Sequence, residues 1–128
     1  MTRRIYVIMP IGSDRMSTVK REVLERKSRS RGLVPYFPMD KLALEMDPLS
    51  SLHVIIEQIE ASGLVIADLS KERPSCYYEL GIAEALGARV ILIAEKGTSI
   101  HQSANRMDTH FYSNIDSYTD LIDIILDQ

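Results

Sequence analysis

Glu79 is the residue of this chain best placed to do chemistry. It stands in Tyr78-Glu79-Leu80-Gly81, just after the helix-start signals Pro74 and Ser75, and downstream of Asp68, the acid that closes the apolar run Leu64-Val65-Ile66-Ala67. A carboxylate can form a covalent ester with an electrophilic carbon, and a second acid can manage the proton. Asp68 is the first candidate for that partner, with Glu57 and His53 behind it. A helix start favours an ionised carboxylate by about 0.3–1 kcal/mol, and Glu79 is expected to be partly exposed there. Cys76 has no histidine near it in sequence, and its spacing with Leu80, Ala83 and Gly87 reads as core. His53, His101 and His110 share no ligand spacing, so no metal site is expected.

These groups must be carried by a crossover unit. Residues 63–93 read as buried strand, polar loop, helix and buried strand, with Gly87 as the helix stop and Arg89-Val90-Ile91-Leu92-Ile93 as the second strand. Upstream, Ile5-Tyr6-Val7-Ile8-Met9 is apolar throughout, as in a central strand covered on both faces. Pro10-Ile11-Gly12-Ser13-Asp14 ends it; Gly12 would let backbone approach a ligand, and Ser13 offers a hydroxyl. There is no Walker loop and no G-x-G-x-x-G.

Met16, Val19 and Val23 predict a helix over 15–30, and Pro35 makes 33–37 an edge strand. Residues 38–46 read as a short helix or a lid. Asp47-Pro48 begins a helix that carries Leu52, Ile55, Ile56 and Ile59 to about residue 62. Residues 98–108 read as loop and 109–113 as a fifth strand; Ser117-x-x-Asp120 predicts the cap of a last helix. Five strands alternating with four helices predict a single domain over 1–128. It is an α/β protein, a three-layer α/β/α sandwich of flavodoxin/Rossmann-like type with a mostly parallel sheet of order 2-1-3-4-5. The first and third strands then flank the switch point, where the Gly12-Ser13 loop meets the segment from Asp68 to Glu79.

The stretch Val65-Ile66-Ala67-Asp68-Leu69-Ser70, followed by Pro74-Ser75-Cys76-Tyr77-Tyr78-Glu79-Leu80-Gly81, resembles the nucleoside 2-deoxyribosyltransferase-like superfamily, which includes deoxynucleoside monophosphate N-glycosidases. Tyr6 to Ser13 is similar to that family's first strand and substrate-cradling loop. The resemblance implies cleavage or transfer at an N-glycosidic bond, with Glu79 as nucleophile and Asp68 assisting. It also implies substrate binding by Pro10, Ile11, Gly12, Ser13, Arg73, Ser75 and Tyr78, no cofactor, and a homo-oligomer that completes its pocket across subunits. A 5′-phosphate would be received by Ser13, Arg73, Ser75 and the amides of the helix start. The chain departs from the pattern where the family carries an aspartate two turns before its third strand: Val54 or Ile55 stands there. Ser75-Cys76-Tyr77-Tyr78-Glu79-Leu80 is also similar to a stretch of TIR domains, whose glutamate serves NAD cleavage. A TIR-like NAD-cleaving enzyme and a non-catalytic nucleotide sensor are therefore the alternatives.

Composition narrows the partners. The 128 residues carry a net charge of −3 and one cysteine, which fits a reducing cytoplasm and excludes an internal disulfide. No apolar run has membrane-spanning length, and no leader is expected. Residues 1–32 hold nine Lys/Arg against three acids, a pattern that fits the solvated face of the first helix. The expected partner is a small nucleoside or nucleotide, with nucleic acid and membrane not expected.

Overall fold

The structure, a computed structural model, describes residues 3–10, 14–38, 48–101 and 106–128. The readings made for Ile11, Gly12, Ser13, residues 39–46 and the Asp47 cap lie outside them. The elements run β1 (Arg4–Ile8), α1 (Arg15–Arg29), β2 (Val34–Tyr36), α2 (Pro48–Glu60), β3 (Leu64–Asp68), α3 (Pro74–Ala85), β4 (Val90–Glu95), a 3-10 turn at Arg106–Asp108, β5 (His110–Tyr112) and α4 (Ile115–Leu126). The sheet has the order β2-β1-β3-β4-β5, and every pair is parallel. All carboxyl ends therefore lie along one edge, as the strand-helix alternation requires.

Strand alternation divides the core in two. Tyr6, Ile8, Val65, Ala67 and Leu92 face α2 and α3, where Ile55, Ile59, Cys76, Leu80 and Ala83 meet them. Ile5, Val7, Ile66, Ile93 and Tyr112 face α1 and α4, where Val23, Leu24, Tyr118, Ile122 and Ile125 close the other layer. Pro35 is buried in the edge strand β2, which pairs with β1 alone and needs no ladder donor on its outer side. Gly87 stops α3 in the left-handed region, at φ 71°, as its position after the apolar stripe implies.

The last helix begins earlier than its sequence suggests. Its cap is Asn114, whose Oδ1 accepts from the Ser117 amide at 2.9 Å, while Ser117 Oγ accepts from the Asn114 amide at 3.0 Å. Ser117 is thus the third helical residue of a reciprocal box rather than the cap itself. Asn caps as well as Ser does, and the extra turn lets Ile115 pack against the α1/α4 layer.

Candidate functional site

Glu79 lies in the second turn of α3, and the helix turns it inward. Cys76, Glu79, Leu80 and Ala83 are the buried residues of α3, spaced i, i+3, i+4 and i+7. The carboxylate therefore belongs to the core-facing stripe and is only 5% exposed, so the expectation of a partly exposed acid is overturned. Its partner is Tyr6, fully buried in β1, whose hydroxyl donates to Glu79 Oε2 at 3.3 Å. The Tyr6 ring packs against the half-buried Tyr36 at the end of β2, with centroids 5.6 Å apart.

Burial also reverses the expected electrostatics. It pushes the Glu79 carboxyl up from 4.5 to about 7, and the Tyr6 hydrogen bond offsets this only in part. A rise of that size corresponds to roughly 3 kcal/mol, several times what a helix start supplies. The same burial, with the Glu79 charge nearby, raises the Tyr6 hydroxyl well beyond its ordinary value, so Tyr6 acts as a donor. The Cys76 thiol is pushed up to about 12, first by burial and then by the Glu79 and Asp68 carboxylates. That keeps it an inert core thiol, as its spacing implied.

Asp68 is buried as deeply, at 2%, but it shares the α1/α4 side with Leu64 and Ile66. Its Oδ2 accepts from Tyr112 Oη at 2.7 Å and pairs with Lys20 Nζ at 3.3 Å. Its Oδ1 accepts from the Ser70 hydroxyl at 2.5 Å and the Ser70 amide at 3.0 Å. Both oxygens are thus occupied within the α1/α4 layer, and the structure does not bring Asp68 together with Glu79. Lys20 also donates to Tyr112 Oη at 2.8 Å and lies 5.2 Å from the Tyr112 ring centre.

The other candidates sit outward or elsewhere. Arg73 caps α3 without a side-chain hydrogen bond and is exposed, as are Ser75 and Tyr78 on the first turns. Pro10 is buried just past β1. His53 and Glu57 are exposed on α2; of Val54 and Ile55, where the resemblance asks for an acid, Val54 is half-buried and Ile55 lies in the core. Asp14, at the start of α1, pairs with Lys71 of the β3–α3 connection at 2.8 Å, and Tyr6 of β1 meets Glu79 of α3. Among the described residues no group of three His, Cys, Asp or Glu could hold a metal ion. Among the described residues no helix is long and apolar enough to cross a membrane.

Sequence reasoning missed Tyr6, Lys20, Ser70 and Tyr112. For Tyr6 the signal was a hydroxyl in an otherwise apolar central strand, which must find a partner when buried. Lys20 gave a similar signal, standing one turn before Val23 and Leu24 on the apolar face of α1.

The fold of this chain recurs among solved structures. A CMP N-glycosidase from Clostridium botulinum superposes with a TM-score of 0.70 at 18% identity, over 95% of this chain and 98% of that one. The fold is that of the nucleoside 2-deoxyribosyltransferases. A 2-deoxyribosyltransferase from Leishmania mexicana matches with a TM-score of 0.62 at 22% identity, covering 94% of this chain and 97% of its own. The 2-deoxyribosyltransferase of Bacillus psychrosaccharolyticus matches at 0.63 and 18%, over 93% and 90%. No family model matches the sequence, and no curated protein does. The deoxyribosyltransferase fold is thus carried here at a sequence distance where packing persists and side chains must be judged one by one.

Proposed function

We propose that this protein cleaves, or transfers across, the N-glycosidic bond of a nucleoside or nucleoside 5′-monophosphate, with Glu79 as the nucleophile. The observation that carries the reading is the buried Glu79–Tyr6 pair, on a fold shared with a CMP N-glycosidase and two deoxyribosyltransferases. The ionised carboxylate attacks the anomeric carbon, the bond to the base breaks with its electron pair leaving on nitrogen, and the base takes a proton from water. A second water, or an acceptor base, then attacks the anomeric carbon, passes its proton to the hydroxide left by the first water, and displaces the restored carboxylate.

Burial favours this chemistry. A site that disfavours the Glu79 charge in the free protein gains most when positive charge develops on the sugar beside it, because nearby water no longer screens the attraction. Tyr6 holds the carboxylate for attack through Oε2. Pro10 and residues 11–13 cradle the sugar, and Arg73, Ser75 and Tyr78 at the start of α3 receive its 5′ side and the base. Asp68 takes no proton step in this scheme, since its oxygens are committed on the other face of the sheet.

The test is incubation of the purified protein with nucleosides, their 5′-monophosphates and NAD, reading free base by chromatography. Release from a nucleoside or monophosphate supports the proposal, and release of nicotinamide alone replaces it with a TIR-like activity. Tight nucleotide binding without any release favours a sensor, a reading that the apolar Ile55 supports.

A further inference from the structure

We infer that Lys20, Asp68 and Ser70 are positioning residues, which work from the α1/α4 side of the sheet to fix the loop that places α3 and hence Glu79. The reaction they would serve is the one proposed above, but the placement itself is independent of it. Of the three helices whose caps are described, the one that bears Glu79 has a start that no capping side chain holds. Asp14 caps α1 and Asn114 caps α4, each accepting from an amide of the first turn, whereas the Arg73 side chain makes no cap bond and Pro74 supplies no amide. What holds the start of α3 must therefore come from the loop before it.

That loop, residues 69–73, is anchored through Ser70. Its hydroxyl accepts from the Glu95 amide at the end of β4, at 2.8 Å, and donates to Asp68 Oδ1. Its amide folds back onto the same Asp68 oxygen, and its carbonyl accepts from the Thr98 hydroxyl at 3.3 Å. Asp68 can serve as this anchor because Lys20 neutralises it. Lys20 is 3% exposed and its ammonium has three protons; it faces Asp68 Oδ2, Tyr112 Oη at 2.8 Å, and Glu95 Oε1 at 3.6 Å. One buried cation thus joins α1 to the ends of β3, β4 and β5. Beyond Ser70, Glu72 is held at φ 47°, an unusual value for a residue with a side chain, and accepts from Tyr77 Oη on α3 at 3.0 Å. Lys71 pairs with Asp14, and the Glu72 amide donates to the Leu69 carbonyl at 2.9 Å.

Ser70→Ala tests the inference, because Ser70 is half-buried and the change strands no charge. Amide hydrogen exchange of the ligand-free protein is the reading that needs no activity. In Ser70→Ala the amides of residues 71–79 should exchange at least about tenfold faster, while those of β1 and α4 keep the parental rate. A merely structural role would instead speed exchange throughout the core. In the active protein kcat should fall about tenfold with KM within about twofold, the pH midpoint of the reaction should stay in place, and Ser70→Thr should restore the parental rate. Parental exchange over 71–79 in Ser70→Ala overturns the inference, whatever the enzyme does. A parental protein that releases no base removes the proposed function and leaves the exchange result to decide the positioning role.

Discussion

Asp68 and Glu79 are buried to nearly the same degree, 2% and 5% exposed, yet they lie on opposite sides of one sheet in opposite electrostatic settings. Asp68 has a lysine, a tyrosine and a serine for company, and each of its oxygens is hydrogen bonded. Glu79 has one tyrosine hydroxyl at 3.3 Å, and its proton affinity is raised. The difference separates two uses of a buried acid. An acid matched by a cation and by donors holds structure, and its charge is spent. An acid buried with less than it needs retains a charge that a passing cation can use, which is the condition of a nucleophile facing a developing sugar cation.

The contrast breaks most visibly on removing each charge. Glu79→Gln preserves shape and should lower turnover by more than ~10⁴, beyond the loss of a general acid or base, because the covalent route disappears. Near-parental release of base from Glu79→Gln would end the nucleophile assignment. Asp68→Asn should act chiefly on stability. It leaves the Lys20 ammonium buried without its full partner, and urea unfolding should show a loss of about 3–5 kcal/mol. If Asp68→Asn unfolds at the parental midpoint, the two acids are not divided as described.

How much of this could be read in advance follows from the kind of signal each residue leaves. The sheet order, the crossover and the place of Glu79 were legible, because apolar runs, Pro74 and Gly87 punctuate the chain at the right spacing. The burial of Glu79 was legible too, had Cys76, Leu80 and Ala83 been followed round the helix, since Glu79 completes their stripe. The division between Asp68 and Glu79 was not. It depends on Lys20 and Tyr112, which stand 48 and 44 residues from Asp68 and meet it only once the sheet is assembled. The Asn114 box was hidden for a different reason, as two polar residues three positions apart offer nearly equal caps and packing of Ile115 favours the first.

Titration sharpens the comparison next. A carboxyl whose folded value is raised from 4.5 to about 7 binds its proton more tightly in the native state than in the unfolded one. Stability therefore falls as pH rises through that interval, by up to roughly 3 kcal/mol, and the loss is complete above it. Glu79→Gln has no such loss. It should match the parent in thermal or urea unfolding near pH 4 and exceed it by roughly 2–3 kcal/mol near pH 8. Activity should run the other way, with parental kcat/KM rising about tenfold per pH unit until Glu79 is ionised. Coincident unfolding curves for parent and Glu79→Gln at pH 8 would show that the acid carries no such burden.

The smallest effect belongs to the hydroxyls that touch the two acids. Tyr6→Phe removes the donor that partly offsets the burial of Glu79, so the Glu79 carboxyl should move higher still. A hydrogen bond of this kind is worth about 0.5–1.5 kcal/mol net, which is about 0.4 to 1 pH unit. The activity profile should shift to higher pH by that amount, so the variant should be several-fold slower at pH 7 and recover most of the difference at pH 9. Tyr112→Phe removes the corresponding donor from Asp68, where Lys20 and Ser70 remain. It should lower the unfolding free energy by a similar amount and leave the midpoint of the activity profile in place. The pair of tyrosines therefore asks the question of the two acids at its finest grain. If Tyr112→Phe moves the midpoint as far as Tyr6→Phe does, the two sides of the sheet share one electrostatic site after all.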